Sequence, residues 1–406
     1  MKVAMVTTGF TPVPAVEGGA VENLVEIILK EYEKHDEEFE LSVLSCYHQE
    51  AAKESRIYKK IKFHFFKKGF FCDFIDKIAY YFFKVFMHKK NLISYRYIFS
   101  RLLIIYKYYR HLINHKYDEI VLIGNSSLFL LLKGKKFRTL YNQKIIFWSH
   151  NEVRSFYGCE KYAGSVKKIV GVSDFVNVSI RMHFKELYNI DYKILKNCVN
   201  TSRFPTVGKS KIIDEVGCQY GIDSRDFIIM FTGRISEEKG LLETIKAFEL
   251  LKEKVSKVKL VIVGGGFYAK NITSAYEKNI EQLIKGDEDI IQTGYISYEK
   301  VFDVYRLADV AVLPSMWEEP AGMTMLEMCM MGIPTITTIS GGIPEYINSD
   351  CAVLLKRDAD LIENIVSSIL RLKEDNIFYN KLSVNGRAMR QYYNVDVFYK
   401  NFKCLL

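Results

Sequence analysis

Short apolar, strand-like runs alternate with helix-like stretches through nearly the whole chain, and this alternation constrains the fold more than any other feature. The series opens with Val3 to Val6 and a helix from about Ala20 to Lys34. Further strands are expected at Leu41 to Leu44, Ile120 to Ile123, Ile145 to Trp148 and Ile169 to Val172. A helix from about Asp174 to Leu187 follows, with Ser173 or Asp174 as its cap. After Asn197 the pattern restarts, with strands at Phe227 to Phe231, Leu260 to Val263, Ile290 to Gln292, Val310 to Leu313, Thr335 to Thr337 and Ala352 to Leu355. Helices are expected between them, two beginning near Gly240 and Lys270. Alternation of this kind builds parallel sheets covered by helices on both faces, and two successive series predict two doubly wound α/β domains.

A length of 406 residues agrees with two cores rather than one. The expected domains are residues 1–195 and 196–391, joined near Lys196 to Pro205, with a C-terminal helix over 392–406 packing back on the first. Residues 1–200 carry 32 Lys and Arg against 20 Asp and Glu, a net +12, while residues 201–406 carry a net −3. All of the excess positive charge therefore lies in the first half. The eight cysteines show no CxxC pair or metal-ligand spacing and read as free buried thiols in a reducing compartment. The N-terminal MKVAMVTTGF is too short an apolar run for a secretory segment, and no run approaches the ~18 to 20 residues of a membrane span. A cytoplasmic protein is expected.

The segment from Ser315 to Glu327, SMWEEPAGMTMLE, follows the strand Val310 to Leu313. In a parallel sheet the carboxyl end of a strand opens onto a ligand crevice. Pro320, Ala321 and Gly322 suit the first turn of a helix, whose unpaired N–H groups attract phosphate. Glu319 precedes that turn, and Glu327 is expected about two turns down the same face. The competing reading makes Glu319 a helix cap and Glu327 a solvated surface residue.

This segment resembles the E-x7-E signature of retaining glycosyltransferase family 4, on the fold called GT-B. Other stretches match in order. Phe231 to Gly240, FTGRISEEKG, is similar to the family's strand-loop-helix element and carries Gly233, Arg234 and Lys239. The resemblance implies that Arg234 and Lys239 hold the donor pyrophosphate, the arginine by bidentate hydrogen bonds. Leu260 to Gly266 resembles the next strand with its glycine turn, and Thr293 to Ile296 the stretch that meets the base, so that Tyr295 and Ile296 become donor contacts. Ser340 to Ile347 is similar to the closing motif under the donor. In the first half, Gly18 and Gly19 match the glycine loop that approaches sugar and phosphate, and a plain βα turn is the competing reading. His150, at the end of the run Ile145 to Trp148, resembles the family's His at the mouth of the interdomain cleft. Gly171 to Ser173 and Leu195 to Phe204 also fit the family.

The resemblance implies two Rossmann-like domains facing across a cleft, with the acceptor on the first and the nucleotide sugar on the second. Catalysis would fall to Glu319 and His150. Donor contacts would come from Gly18, Gly19, Gly233, Arg234, Lys239, Tyr295, Ile296, Ala321, Gly322, Met323, Thr324 and Glu327. Glu327 would meet the ribose. Ala321 stands where the family often has Phe, which leaves the sugar open. The expected activity is retaining transfer of a hexose or N-acetylhexosamine from a UDP-linked donor, with no metal and no cofactor. Neither Asp287-Glu-Asp289 nor Asp358-Ala-Asp360 follows a strand as a metal-binding Asp-x-Asp would. Competing readings are transfer to a small soluble acceptor, another GT-B enzyme such as a sugar-nucleotide epimerase, and a silent nucleotide-sugar-binding scaffold.

Between Arg56 and Lys116 lie 15 Lys and Arg and only two acids, interleaved with many aromatics. Cations and rings together suit a membrane interface. In a helix from Asp73 to Lys90, residues Asp73, Asp76, Lys77 and Lys84 fall on one side and leave a broad apolar face. Peripheral binding to an anionic inner leaflet and a lipid-linked glycan acceptor are expected, and nucleic-acid binding is not. The competing reading packs this region as helices on the first sheet with a solvated basic face.

Overall fold

The computed structural model describes residues 1–69, 72, 74–78, 80, 97–204, 209–265 and 274–406. Chain contacts divide it into two compact units, Met1–Lys196 with Phe398–Leu406, and Asn197–Val397.

The first unit holds a seven-stranded parallel sheet. Its strands are β1 (Lys2–Val6), β2 (Glu40–Cys46), β3 (Lys62–Phe66), β4 (Glu119–Ile123), β5 (Ile145–Ser149), β6 (Val166–Gly171) and β7 (Asp191–Ile194), in the order β3-β2-β1-β4-β5-β6-β7. All five residues of β4 and of β5 are buried, as a strand covered on both faces requires. The two edge strands, β3 and β7, were not expected. Both carry charged or half-exposed residues, KFHFF and DYKI, because an edge strand lacks the flanking cover that selects a continuous apolar run.

The helix Ala20–Lys34 buries Leu24, Val25, Ile28, Leu29 and Tyr32 on one face. Each such side chain contributes about 1.5 to 3 kcal/mol when fully covered. The expected helix after Asp174 ends at His183, and Lys185–Leu187 forms a separate 3-10 turn. Ser173 caps it through a bond from the Val176 N–H. At the other end of the chain a helix runs from Val395 to Lys403. Within Phe398–Leu406, Phe398 and Phe402 lie 6.0 and 6.4 Å from Trp148, and Tyr399 donates to Glu37 at 2.9 Å.

The second unit holds six parallel strands, β8 (Phe227–Thr232), β9 (Val258–Val263), β10 (Ile290–Gly294), β11 (Val310–Leu313), β12 (Thr335–Thr338) and β13 (Ala352–Leu355), in the order β10-β9-β8-β11-β12-β13. The helix Met323–Met331 is buried from Met325 through Met331. Its sequence, MTMLEMCMM, offers no polar face, so it sits inside and takes Glu327 with it.

The region from Arg56 to Lys116 is not a pair of helices alone. It contains β3 and a helix, Ile98–Asn114. The expected helix from Asp73 to Lys90 lies mostly outside the described residues, as do Phe70, Phe71, Tyr81, Phe82, Phe83, Phe86, Pro205, Gly266 and Lys270. Asp76 does not face solvent. It is buried, and its carboxylate accepts from the N–H groups of Phe99 and Ser100 at 2.8 and 3.1 Å, capping the start of Ile98–Asn114. Of the cysteines, Cys218 and Cys404 are exposed rather than buried. No helix among the described residues is long and apolar enough to cross a membrane.

Candidate functional site

In the second sheet the chain winds outward through β8, β9 and β10 and then returns to place β11 on the other side of β8. The loops leaving β8 and β11 therefore diverge at a topological switch point, where α/β sheets bind ligands. Close packing around these loops depends on glycine, at Gly240 after β8 and at Gly264 after β9. A Cβ at Gly240, which has φ +73°, would lie 2.0 Å from the Pro314 carbonyl oxygen, and one at Gly264 would lie 2.0 Å from that of Gly233. With those contacts open, the Met316 N–H reaches the Glu238 carbonyl at 2.8 Å and ties the loops together.

Glu319 sits where these loops meet and is 6% exposed. Its carboxylate is ion-paired with Lys239 and accepts from the Ser315 hydroxyl at 3.2 Å. A buried carboxylate is tolerated only with such partners. The backbone beneath it is held from β12. The Gly342 N–H donates to the Glu319 carbonyl at 2.7 Å, and a Cβ at Gly341 would come within 2.3 Å of the same oxygen. Glu318 is bound by the Gly341 N–H at 2.5 Å and by Arg357. Arg234 lies 3.5 Å from Glu238. The two expected clamp cations, Arg234 and Lys239, are thus brought to the switch point beside Gly233, each already engaged with a carboxylate.

Two expectations about the segment from Glu319 to Glu327 are corrected. The helix begins at Met323, not near Pro320, because Gly322 adopts a left-handed conformation (φ +65°) that a continuing helix cannot contain. Ala321 and Gly322 precede the helix, while Met323 and Thr324 form its first turn. Glu319 therefore lies outside the helix and does not share a helical face with Glu327. The competing reading fails as well. Gly322 is the cap residue, with no side-chain bond, and Glu327 is 5% exposed.

Glu327 accepts a hydrogen bond from the Tyr298 phenol at 2.9 Å. Burial pushes its carboxyl up to about 7, against a smaller downward pull from that bond. Sequence reasoning missed Tyr298, which follows the expected base-contacting stretch by two residues and carries no distinguishing spacing. Within that stretch Tyr295 is exposed and Ile296 half-buried. The loop is joined to its neighbour by a bond from the Gly264 N–H to the Gly294 carbonyl at 3.0 Å.

In the first unit the switch point lies between β1 and β4. Gly18 and Gly19 close the loop after β1, with φ +75° and +112°. A Cβ at Gly18 meets nothing within 4 Å, whereas one at Gly19 would lie 2.2 Å from Glu22 Oε2. The positive φ favours glycine at 19, and beside it lies Glu22, a buried carboxyl bonded by Thr11 and raised above its ordinary range by burial. His150 follows β5, is 6% exposed and packs on Trp148 with ring centroids 4.3 Å apart. Neither ring nitrogen has a hydrogen-bond partner among the described residues, and burial pushes its pKa down to about 3, so the ring is neutral.

Comparison with known proteins bears on the second unit most directly. Residues 214–389 match the family of glycosyl transferases group 1. The match encloses all six strands of the second sheet and every candidate residue placed there. YtcC of Bacillus subtilis is 27% identical over 255 residues, covering 61% of this chain and 62% of that protein. The lipopolysaccharide 1,2-N-acetylglucosaminetransferase of Salmonella typhimurium is 30% identical over 136 residues, or 33% of this chain and 36% of that protein. The alignments thus span less than two thirds of these relatives. The structure of Anabaena HepE in complex with UDP and glucose superimposes with a TM-score of 0.70 at 15% identity, covering 99% of this chain and 98% of that one. Both units are accordingly Rossmann-like domains of the GT-B fold.

Within the group 1 stretch, the acidic pair Asp287 and Asp289 lies at the amino end of β10. Lys252 donates to Asp287 at 2.8 Å, and Lys252 and Lys259 lie 3.7 and 3.8 Å from Asp289. Asp360 precedes the helix Leu361–Glu374 as its cap residue.

Proposed function

We propose that this chain is a glycosyltransferase that moves a hexose or N-acetylhexosamine from a UDP-linked donor, with retention of anomeric configuration, to a lipid-linked or surface-glycan acceptor. The observation that carries this reading is the buried Glu319 paired with Lys239 at the switch point of the second sheet, inside the stretch that matches group 1 glycosyl transferases. A carboxylate beside cations at a strand's carboxyl end suits a ligand with both hydroxyls and phosphates. The UDP complex of HepE, a protein of the same fold, supports the choice of nucleotide.

In the proposed reaction the bond between the anomeric carbon and the phosphate breaks, and negative charge collects on the leaving diphosphate. Arg234 and Lys239 stabilise that charge, as do the N–H groups of the first helical turn at Met323 and Thr324. Lys239 would loosen from Glu319 as it does so, releasing the carboxylate toward the sugar. Glu327 takes the ribose, and Tyr295 and Ile296 the base. In the first unit, Gly18, Gly19 and the neutral His150 are assigned to the transferred sugar and its phosphate, and the unit itself to the acceptor. No metal is assigned a role. Turnover that survives excess chelator is the expected result, and loss restored by Mn²⁺ or Mg²⁺ contradicts it.

The membrane part of the proposal rests on a separate observation. Where Asp76 turns inward to cap a helix, its neighbours Phe74, Ile75 and Ile78 turn outward, Phe74 to 64% exposure, and Phe99, Leu102 and Tyr106 are exposed on the capped helix. Apolar side chains facing solvent in a region rich in cations fit the interface of an anionic bilayer. Flotation with anionic liposomes at low salt should carry the protein upward, and a protein left at the bottom contradicts this part alone. The transfer reading is tested by nucleotide release from a panel of sugar nucleotides with a lipid-linked acceptor present. Release that requires the acceptor supports transfer; binding without turnover marks a scaffold, and isomerised donor an epimerase.

A further inference from the structure

Glu327 is buried in a helix, Met323–Met331, with apolar residues at nearly every other position, yet its carboxylate must accept hydrogen bonds to serve a ribose. Among the described residues its hydrogen-bond donor is Tyr298. Tyr298 stands between β10 and the short helix Val301–Tyr305, in a fixed place: its ring meets Phe302 edge to face at 5.2 Å, and the Arg203 guanidinium lies 5.2 Å from its centroid. The second phenol near Glu327, that of Tyr305, is committed to Thr232 at 2.8 Å. Among the described residues the titratable and charged groups facing this carboxyl are therefore Tyr298 and Tyr305, with Arg203 behind the first.

We infer that Tyr298 is a positioning residue for the donor, holding Oε1 of Glu327 so that Oε2 is the oxygen left to receive a ribose hydroxyl. The inference rests on the reading of the second unit as a nucleotide-sugar site. Only the ionised carboxylate accepts from both sides, and the phenol bond favours the ionised form. Burial holds the Glu327 carboxyl at about 7, so near neutrality a large part of it is protonated. Without the phenol the carboxyl titrates higher still, and the fraction able to bind ribose falls. One unit of further rise lowers that fraction about fivefold at pH 7 and hardly at all at pH 9. The Tyr298 hydroxyl itself stays protonated across this range, because burial and the neighbouring carboxyl both raise its pKa.

The experiment titrates UDP and 2′,3′-dideoxy-UDP into the wild type, Tyr298→Phe and Glu327→Gln at pH 6 to 9, with melting curves recorded at each pH. The expected result is UDP binding by Tyr298→Phe about fivefold weaker than wild type at pH 7 and equal to it by pH 9. Affinity for the dideoxy nucleotide should not change. An equal loss for both nucleotides at every pH, or no loss for either, overturns the inference while leaving the donor site in place. If the wild type binds neither nucleotide, the donor reading fails and takes this inference with it.

Discussion

Beyond β8 and β11 a buried carboxylate, Glu319, meets an ammonium, whereas beyond β1 and β5 the buried Glu22 and His150 form no ion pair among the described residues. The two sheets share one winding plan, so the difference lies in what their loops carry. In the second unit a charged group is kept inside by pairing it. In the first, burial moves the groups toward their neutral forms, raising Glu22 and lowering His150. Under the proposed function, the second switch point would exchange one ionic partner for another, such as a diphosphate, and the first would offer neutral polar atoms to sugar hydroxyls.

The largest expected effect comes from breaking the second arrangement. Lys239→Ala should lower transfer by about 100-fold or more, the usual consequence of removing a group that stabilises a developing anion. It should also cost about 3 kcal/mol of stability, because it leaves Glu319 buried without its cation. Adding Glu319→Gln should restore much of that stability in a urea melt and none of the activity. A double variant no more stable than Lys239→Ala would break the comparison.

His150→Ala should lower turnover by about 10-fold, as the loss of one hydrogen bond to the sugar would. The pH profile between 5 and 9 should keep its shape, because a ring with its pKa near 3 is neutral throughout. A profile limb that disappears with His150 would show that the ring titrates in that range and that the contrast between the units is misdrawn.

Smaller effects sharpen the same contrast. Gly19→Ala places a Cβ against Glu22 Oε2 in a left-handed conformation and should cost about 1 to 3 kcal/mol. Gly18→Ala, with open space around it, should cost about 1. Equal melting temperatures for the two variants would count against the role given to Glu22. Comparable to the Gly19→Ala effect, and dependent on pH, is that of Glu327→Gln on stability. A carboxyl raised from 4.5 to about 7 on folding contributes stability at low pH that is lost as pH rises through 7. The glutamine variant should therefore gain on the wild type in thermal melts at pH 8 relative to pH 5.

The central strands were legible because β1, β4, β5, β8 and β11 are covered on both faces and so carry unbroken apolar runs. The edge strands β3 and β7 were not, since half-exposed strands need no such run. Spacing located Glu319 and Glu327 but not their circumstances. The helix start was set too early because nothing in PAG marks Gly322 as left-handed rather than helical. The Lys239 to Glu319 pair joins residues far apart in sequence, a relation that exists only once β8 and β11 lie side by side. Asp76 was assigned to a polar outer face, yet its carboxylate serves the first turn of a helix that begins 22 residues later.

In the proposed reaction the second switch point grips a diphosphate. Calorimetric titration of UDP into the wild type and into Arg234→Gln and Lys239→Gln tests it most directly. Binding weakened at least about tenfold by each change is the predicted result, in line with the loss of a charge-assisted contact. UDP affinity unchanged in both variants would contradict it.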